Sequence, residues 1–283
     1  SPFTPECKAS SGRRSRVSHD ASERQDRPRD SVFVVLKPPP GGVRGVTCSS
    51  ESRMDRLLRF NETQSMIAVT YYLEVISSWC HWAEPAWAEL QRRYVGRAQF
   101  GWKIAQMPEA AYPVSQSQCE WFYRRSGTIV RSPYMLNAGW FDPETIQMLV
   151  PNLVAEAARD FGVNDDRVRL ALQNAAVRDG KKVGRWDIAI EVAAGAASLD
   201  PSKLLAAAKS TAVAERVKQS SAEFDALQVT QRPTFVFQNA IGDRAVFSGL
   251  VRIEPLAAAM DAMLADEAAY ASWRAHFGDP PPK

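Results

Sequence analysis

The order of strand-like and helix-like patterns along the chain limits its fold more than any single residue does. Residues 67–75 (IAVTYYLEV) are β-branched and aromatic and read as a buried strand. Ser77–Ser78–Trp79–Cys80 follows at once, and a helical stretch runs on to about residue 94. Residues 99–106 (QFGWKIAQ) read as a second strand. Residues 107–148, rich in Pro, Ser and aromatics, read as irregular, and so long a connector is expected to border a site. Residues 149–226 are Ala-rich and predict four or five helices. Asp165 and Asp166 are expected to cap one of them, and Asp200–Pro201 pairs a capping residue with a first-turn proline. Two short strands, TFVF (234–237) and RAVF (244–247), flank a hairpin turn over residues 239–243. A last helix starts near Glu254–Pro255 and reaches His276, with room for a break on the way.

This order is a βαβ unit and a ββα unit separated by an inserted all-helical domain, an α/β fold whose outer halves pair into one mixed sheet. The expected divisions are 66–148 and 227–265 for the two halves, 149–226 for the insertion and 266–283 for a C-terminal helix and tail.

Residues 1–65 are a different kind of chain. They hold eleven Ser, ten Arg and six Pro but none of the eight Trp and none of the seven Tyr. Such a composition buries too little apolar area to offset chain entropy, so this basic extension is expected to be disordered, and to be a part that the native domain does not need. It carries a net charge of +4, against −1 for residues 66–283. The basicity is therefore confined to the leading segment, and no nucleic-acid partner is expected. No uncharged apolar run approaches the ~18 residues of a membrane span, so no membrane partner is expected either. With only His81 and His276 in the folded part and four scattered cysteines, metal binding is not expected.

Two positions on this skeleton carry chemistry. Ser77–Ser78–Trp79–Cys80 lies where a strand becomes a helix, and a helix N-terminus offers unpaired N–H groups and partial positive charge that stabilise a thiolate. Arg232–Pro233–Thr234 opens the third strand, where a cis proline can aim a backbone amide at a bound thiol. The strand followed by S-S-W-C, the helical insertion and the R-P-T-F-V-F stretch together resemble the thioredoxin superfamily. The likeness is closer to its DsbA-like branch, which includes glutathione transferase kappa and 2-hydroxychromene-2-carboxylate isomerase. It covers residues 66 to about 265.

The family motif C-x-x-C can be laid on this sequence in two registers. One starts at Cys80 and makes it the nucleophile of a thiol-disulfide oxidoreductase. The other starts at Ser77 and puts a serine in the nucleophile position, with Cys80 second. The second register is favoured by Pro85, five residues past Cys80, and by Glu74, three residues before Ser77, where relatives carry a proline and an acid.

By resemblance, the Ser77 hydroxyl would then hydrogen-bond the sulfur of glutathione, with Trp79 and the backbone of Arg232 and Pro233 completing the site. The resemblance further implies a thiol-handling enzyme acting on a small electrophile, located in the cytoplasm, and a homodimer. Where kappa-type enzymes hold glutathione with a Ser-Asp pair, this chain reads Gly249–Leu250–Val251–Arg252. A thioredoxin-fold binding module without catalysis is the alternative of another class. His81 is expected on the solvated helix surface. Cys119 is a candidate partner for Cys80. The aromatics and arginines of residues 121–125 suit either an anionic planar ligand or packing.

Overall fold

The computed structural model describes residues 66–143 and 148–282. The expectations for residues 1–65 lie outside the described residues.

A four-stranded mixed sheet runs in the order β2-β1-β3-β4. Strand β1 (Ile67–Leu73) pairs parallel with β2 (Ala98–Ile104) and antiparallel with β3 (Thr234–Gln238), and β3 pairs antiparallel with β4 (Arg244–Ser248). Helix α1 (Ser78–Arg93) is the β1–β2 crossover. Between β2 and β3 come α2 (Gln116–Val130), α3 (Val150–Ala157), α4 (Arg167–Val177), α5 (Trp186–Ala197), α6 (Pro201–Ala208) and α7 (Thr211–Asp225). Helix α8 (Ile253–Phe277) closes the described chain. The expected order of a βαβ unit, a helical insertion and a ββα unit is the order observed. No described helix is long and apolar enough to cross a membrane.

Both sheet faces are covered. On one, Tyr71 stacks on Phe235 with ring centroids 4.8 Å apart, and Trp87 of α1 leans on Tyr71 at 5.1 Å. Tyr94, just past α1, donates from its hydroxyl to the Ala257 carbonyl (3.0 Å) and to Asp261 (2.8 Å), which fixes α8 to α1. On the other face Tyr72, Val236 and Val246 form a smaller cluster around Phe224 of α7.

Some elements depart from the sequence reading. Strand β1 stops at Leu73 because the Val75 N–H turns to the side chain of Asn152 (3.2 Å). Strand β2 stops at Ile104, and the Gln106 N–H goes to the Ser221 hydroxyl (3.0 Å). Within the stretch expected to be irregular, α2 forms a 15-residue helix capped by Ser115. Its buried residues, Cys119, Tyr123, Ser126 and Gly127, have helical spacing, but small and polar types disguise the stripe. Asp200 caps α6 as expected, accepting from the Lys203 N–H. Asp166 starts α4 but makes no side-chain cap. Helix α8 is unbroken.

Asp166 is drawn instead into a buried cluster. Arg169 of α4 is 1% exposed and pairs with Glu84 of α1 (2.7 Å) and with Asp166 (2.7 Å). Asp166 also accepts from Trp87 Nε1 (2.9 Å) and Gln91 (3.1 Å), and Glu84 accepts from the Tyr71 hydroxyl (3.2 Å). Removing one member of such a cluster strands the others without compensation. Arg169→Ala is expected to cost about 3–5 kcal/mol in urea unfolding, whereas replacing Arg169, Glu84 and Asp166 together by apolar residues of similar volume costs less. A triple variant weaker than the single one would contradict this account.

Candidate functional site

The site begins with a change of direction. After β1 the chain makes a tight turn in which the Ser77 N–H donates to the Glu74 carbonyl (3.1 Å). Ser77 is then the N-cap of α1, with an extended backbone (φ −73°, ψ 125°) and a hydroxyl that accepts from the Cys80 N–H at 3.4 Å. Serine suits this place because its short side chain can satisfy one of the orphan donors of the first turn. Ser77 is itself buried, 7% exposed, and Ser78 and Trp79 are half-buried on the first turn.

Register brings the second sequence landmark alongside. Tyr72 pairs with Thr234, so the two residues before β3 run back opposite the end of β1. The Arg232–Pro233 peptide bond is cis, and Pro233 is buried. The Arg232 side chain does not point to a ligand. It donates to the Ala105 (2.7 Å) and Gln106 (2.6 Å) carbonyls at the end of β2 and lies over the Phe224 ring (4.1 Å). Ser77, Cys80 and Arg232–Pro233, far apart in sequence, thus gather at one end of the sheet.

The sulfur there is sealed in. Cys80 is 0% exposed, and its thiol is pushed up to about 12, first by burial. Hydrogen bonds from the Glu74 N–H and the Ser77 side chain pull the other way without offsetting the desolvation. A thiol in that state is protonated at neutral pH and makes a poor nucleophile. In this structure neither the Cys80 sulfur nor the Ser77 side chain is open to solvent. Cys80 and Cys119 are both free and buried, so no bridge joins these two candidate partners.

Glu74 lies behind the turn, also 0% exposed. Its carboxylate accepts from Asn152 Nδ2 (2.7 Å), the Met107 N–H (3.0 Å) and the Tyr112 hydroxyl (3.1 Å). Burial outweighs these donors and the nearby Arg232 and lifts its pKa to about 7. Sequence reasoning noticed Glu74 by its position but could not see Asn152 or Tyr112, because nothing in their local pattern distinguishes them.

His81 was expected on the helix surface, and it is 7% exposed. Nδ1 meets Gln173 Oε1 of α4 (3.3 Å) and Nε2 meets the Tyr134 hydroxyl (3.0 Å). Desolvation lowers its pKa, so the ring is neutral at pH 7 and serves as a link between α1 and the insertion. Of the 121–125 stretch, Tyr123 is buried and accepts from Trp140 Nε1 (2.5 Å), while Arg125 folds over the rings of Trp121 (4.8 Å) and Phe122 (5.4 Å) of its own helix. A small hollow of about 10 Å³ borders Ile76, immediately before Ser77, and is lined also by Trp140, Met148, Lys182 and Arg185.

Glu74 contributes a pH dependence to stability. Below its ordinary value of 4.5 the carboxyl is protonated both folded and unfolded; between 4.5 and about 7 only the folded chain keeps the proton. Stability therefore falls as pH rises through that window, by roughly 3 kcal/mol, and levels off above it. Glu74→Gln is expected to remove this slope in urea midpoints measured from pH 4 to 8. Parallel curves for the two proteins would refute it.

A family model described as DSBA-like thioredoxin domain matches residues 68–261. Among solved structures, a putative protein disulfide isomerase from Nitrosomonas europaea is similar with a TM-score of 0.54 and 14% identity, over 75% of this chain and 100% of that one. The cytosolic disulfide reductase DsbM from Pseudomonas aeruginosa gives 0.56 and 16%, over 72% and 99%. A structure of that reductase with GSH gives 0.50 and 16%, over 61% and 88%. At these identities the likeness is one of fold. No curated relative matches the sequence.

Proposed function

The chain belongs to the DSBA-like thioredoxin domain family, and from that premise we propose that it handles a thiol brought to it in solution rather than one of its own. The burial of Cys80 carries this reading: the motif holds one sulfur, and its pKa near 12 keeps it protonated. Glutathione is the thiol we assign, with Ser77 at the N-terminus of α1 as its contact. The GSH structure of the Pseudomonas aeruginosa reductase belongs to a protein of the same fold, which supports the choice.

The chemistry follows from the helix end. A thiol beside Ser77 loses its proton to solvent, and the resulting thiolate gains from the hydroxyl and from the partial positive charge of the first turn, a contribution of about 0.3–1 kcal/mol. The sulfur then attacks an electrophilic carbon of a small molecule: its lone pair forms the S–C bond while the leaving group departs with the electron pair of the bond that breaks and takes a proton from solvent. Ser77 keeps its proton and forms no covalent bond. The half-buried Trp79 flanks the sulfur, and the backbone at Arg232 and Pro233 holds the cysteinyl part of the tripeptide. The compartment we assign is the cytoplasm, where reduced glutathione is maintained.

Titration with glutathione, followed by tryptophan fluorescence, tests the assignment. Saturable binding is expected in the wild type, weakened at least tenfold in Ser77→Ala. Wild-type protein that gives no binding signal leaves a binding module without this chemistry as the better reading. Ser77→Cys is a second probe: it restores a C-x-x-C motif and is expected to give a protein that reduces insulin disulfides with dithiothreitol faster than the wild type. Equal rates would place the motif away from solvent thiols.

A further inference from the structure

His81 lies one helical turn after Ser77, and its N–H donates to the Ser77 carbonyl (3.0 Å). Side chains four residues apart share a helix face, and each leans over the turn before it. The imidazole therefore sits beside the end of α1 that Ser77 caps. Its Nδ1 meets Gln173 Oε1 of α4 at 3.3 Å, and its Nε2 meets the Tyr134 hydroxyl at 3.0 Å. Gln173 is 1% exposed, yet its Nε2 has no partner among the described residues. A buried polar atom left this way calls for an explanation beyond packing.

The bonds have a direction. A carboxamide oxygen only accepts, so Nδ1 carries the proton. Nε2 is left with a lone pair, and the Tyr134 hydroxyl donates to it. The phenol oxygen keeps its own lone pairs for a donor brought from outside. Tyr134 is half-buried on the connector after α2, and the Ser132 hydroxyl pins its backbone by donating to its carbonyl (2.7 Å) and accepting from its N–H (3.2 Å). On the α1 side the Trp82 ring meets the imidazole edge-on at 5.1 Å. The charge that faces the group is Arg178, at the end of α4, with its guanidinium 3.7 Å from the centre of the Tyr134 ring. Turning the Gln173 amide would present an N–H to Nδ1 and hold the other tautomer. Gln173 can thus serve either tautomer, with one end idle each time.

We propose that Tyr134, His81 and Gln173 form a proton relay for the thiol bound at Ser77, with Tyr134 as the catalytic residue and the other two as positioning residues acting through it. The relay rests on the thiol reading given above. As the S–H bond breaks, its proton passes to the Tyr134 oxygen while that oxygen passes its own proton to His81 Nε2. The products are a thiolate and an imidazolium whose Nδ1–H stays on Gln173, and no oxidant or reductant is involved. The imidazolium then releases the proton to solvent. Burial lowers the His81 pKa, and Arg178 lowers it further against the opposing bond to Gln173. The ring is therefore a free acceptor at pH 7 and gives the proton up again.

Ultraviolet thiolate absorbance of glutathione bound to the full chain tests the relay. At pH 7 the wild type is expected to hold about tenfold more thiolate than free glutathione does, a shift of about one pKa unit. Tyr134→Phe and His81→Asn should each lose most of that excess. The double variant should lose no more than either single one, because the two groups act in series. S-methylglutathione, which has no thiol proton, should bind all of them within twofold of the wild type. Tyr134→Phe removes a single oxygen from a half-buried ring, so it decides the matter even if His81→Asn fails to fold. A wild type that does not bind glutathione would overturn the thiol reading and the relay together. Wild-type binding with no excess thiolate would overturn the relay, and so would a Tyr134→Phe protein that keeps the excess. Equal losses of thiolate and of S-methylglutathione binding would also overturn it, by showing that Tyr134 only shapes the site.

Discussion

A guanidinium with almost no access to water holds the parts of this protein in register. Arg169 comes from the inserted helices, yet its partner Glu84 is on the motif helix, and Glu84 in turn takes the hydroxyl of Tyr71 from the central strand. Three layers thus converge on one cluster. A charge 1% exposed is tolerated only when its donors are satisfied, and here two carboxylates and the flanking rings of Tyr71 and Trp102 surround it. Small angular errors between α1 and α4 would leave an ion unpaired in a dry interior. The orientation of the motif helix is therefore set by the insertion as much as by the sheet. His81, bridging to Gln173 and Tyr134, adds a second tie along the same seam.

That dry interior also decides the chemistry. The same loss of water that raises the Cys80 thiol raises Glu74, a few residues upstream. One group becomes a thiol that is protonated at neutral pH, and the other a carboxyl that titrates near neutrality. Ser77–Ser78–Trp79–Cys80 holds one sulfur, and that sulfur is buried. Backbone register also contributes, because the pairing of Tyr72 with Thr234 sets the proline turn opposite the end of β1.

Much of this was legible residue by residue. Val69 and Tyr71 alternate as a buried strand does, Asp200–Pro201 announced the start of α6, and the TFVF and RAVF runs gave the hairpin. What misled were residues whose role depends on partners distant in sequence. Asp166 has the composition of a cap, but a buried indole and guanidinium compete for its carboxylate. Helix α2 hid behind Cys119, Ser126 and Gly127, which pack as small residues and do not register as an apolar stripe. His81 looked like a surface residue because polarity was the only local signal.

The sequence by itself determined the order of elements, the position of Ser77 and Cys80 at a strand-to-helix junction, and the proline at the mouth of the third strand. These follow from local periodicity, capping preference and the backbone limits of proline, all of which act within a few residues. Only the tertiary structure decided that the sulfur is buried, that Glu74 shares its interior with Asn152 and Tyr112, and that Arg169 locks the motif helix to the insertion. Desolvation and ion pairing depend on what the rest of the chain brings close, and no local pattern encodes that distance.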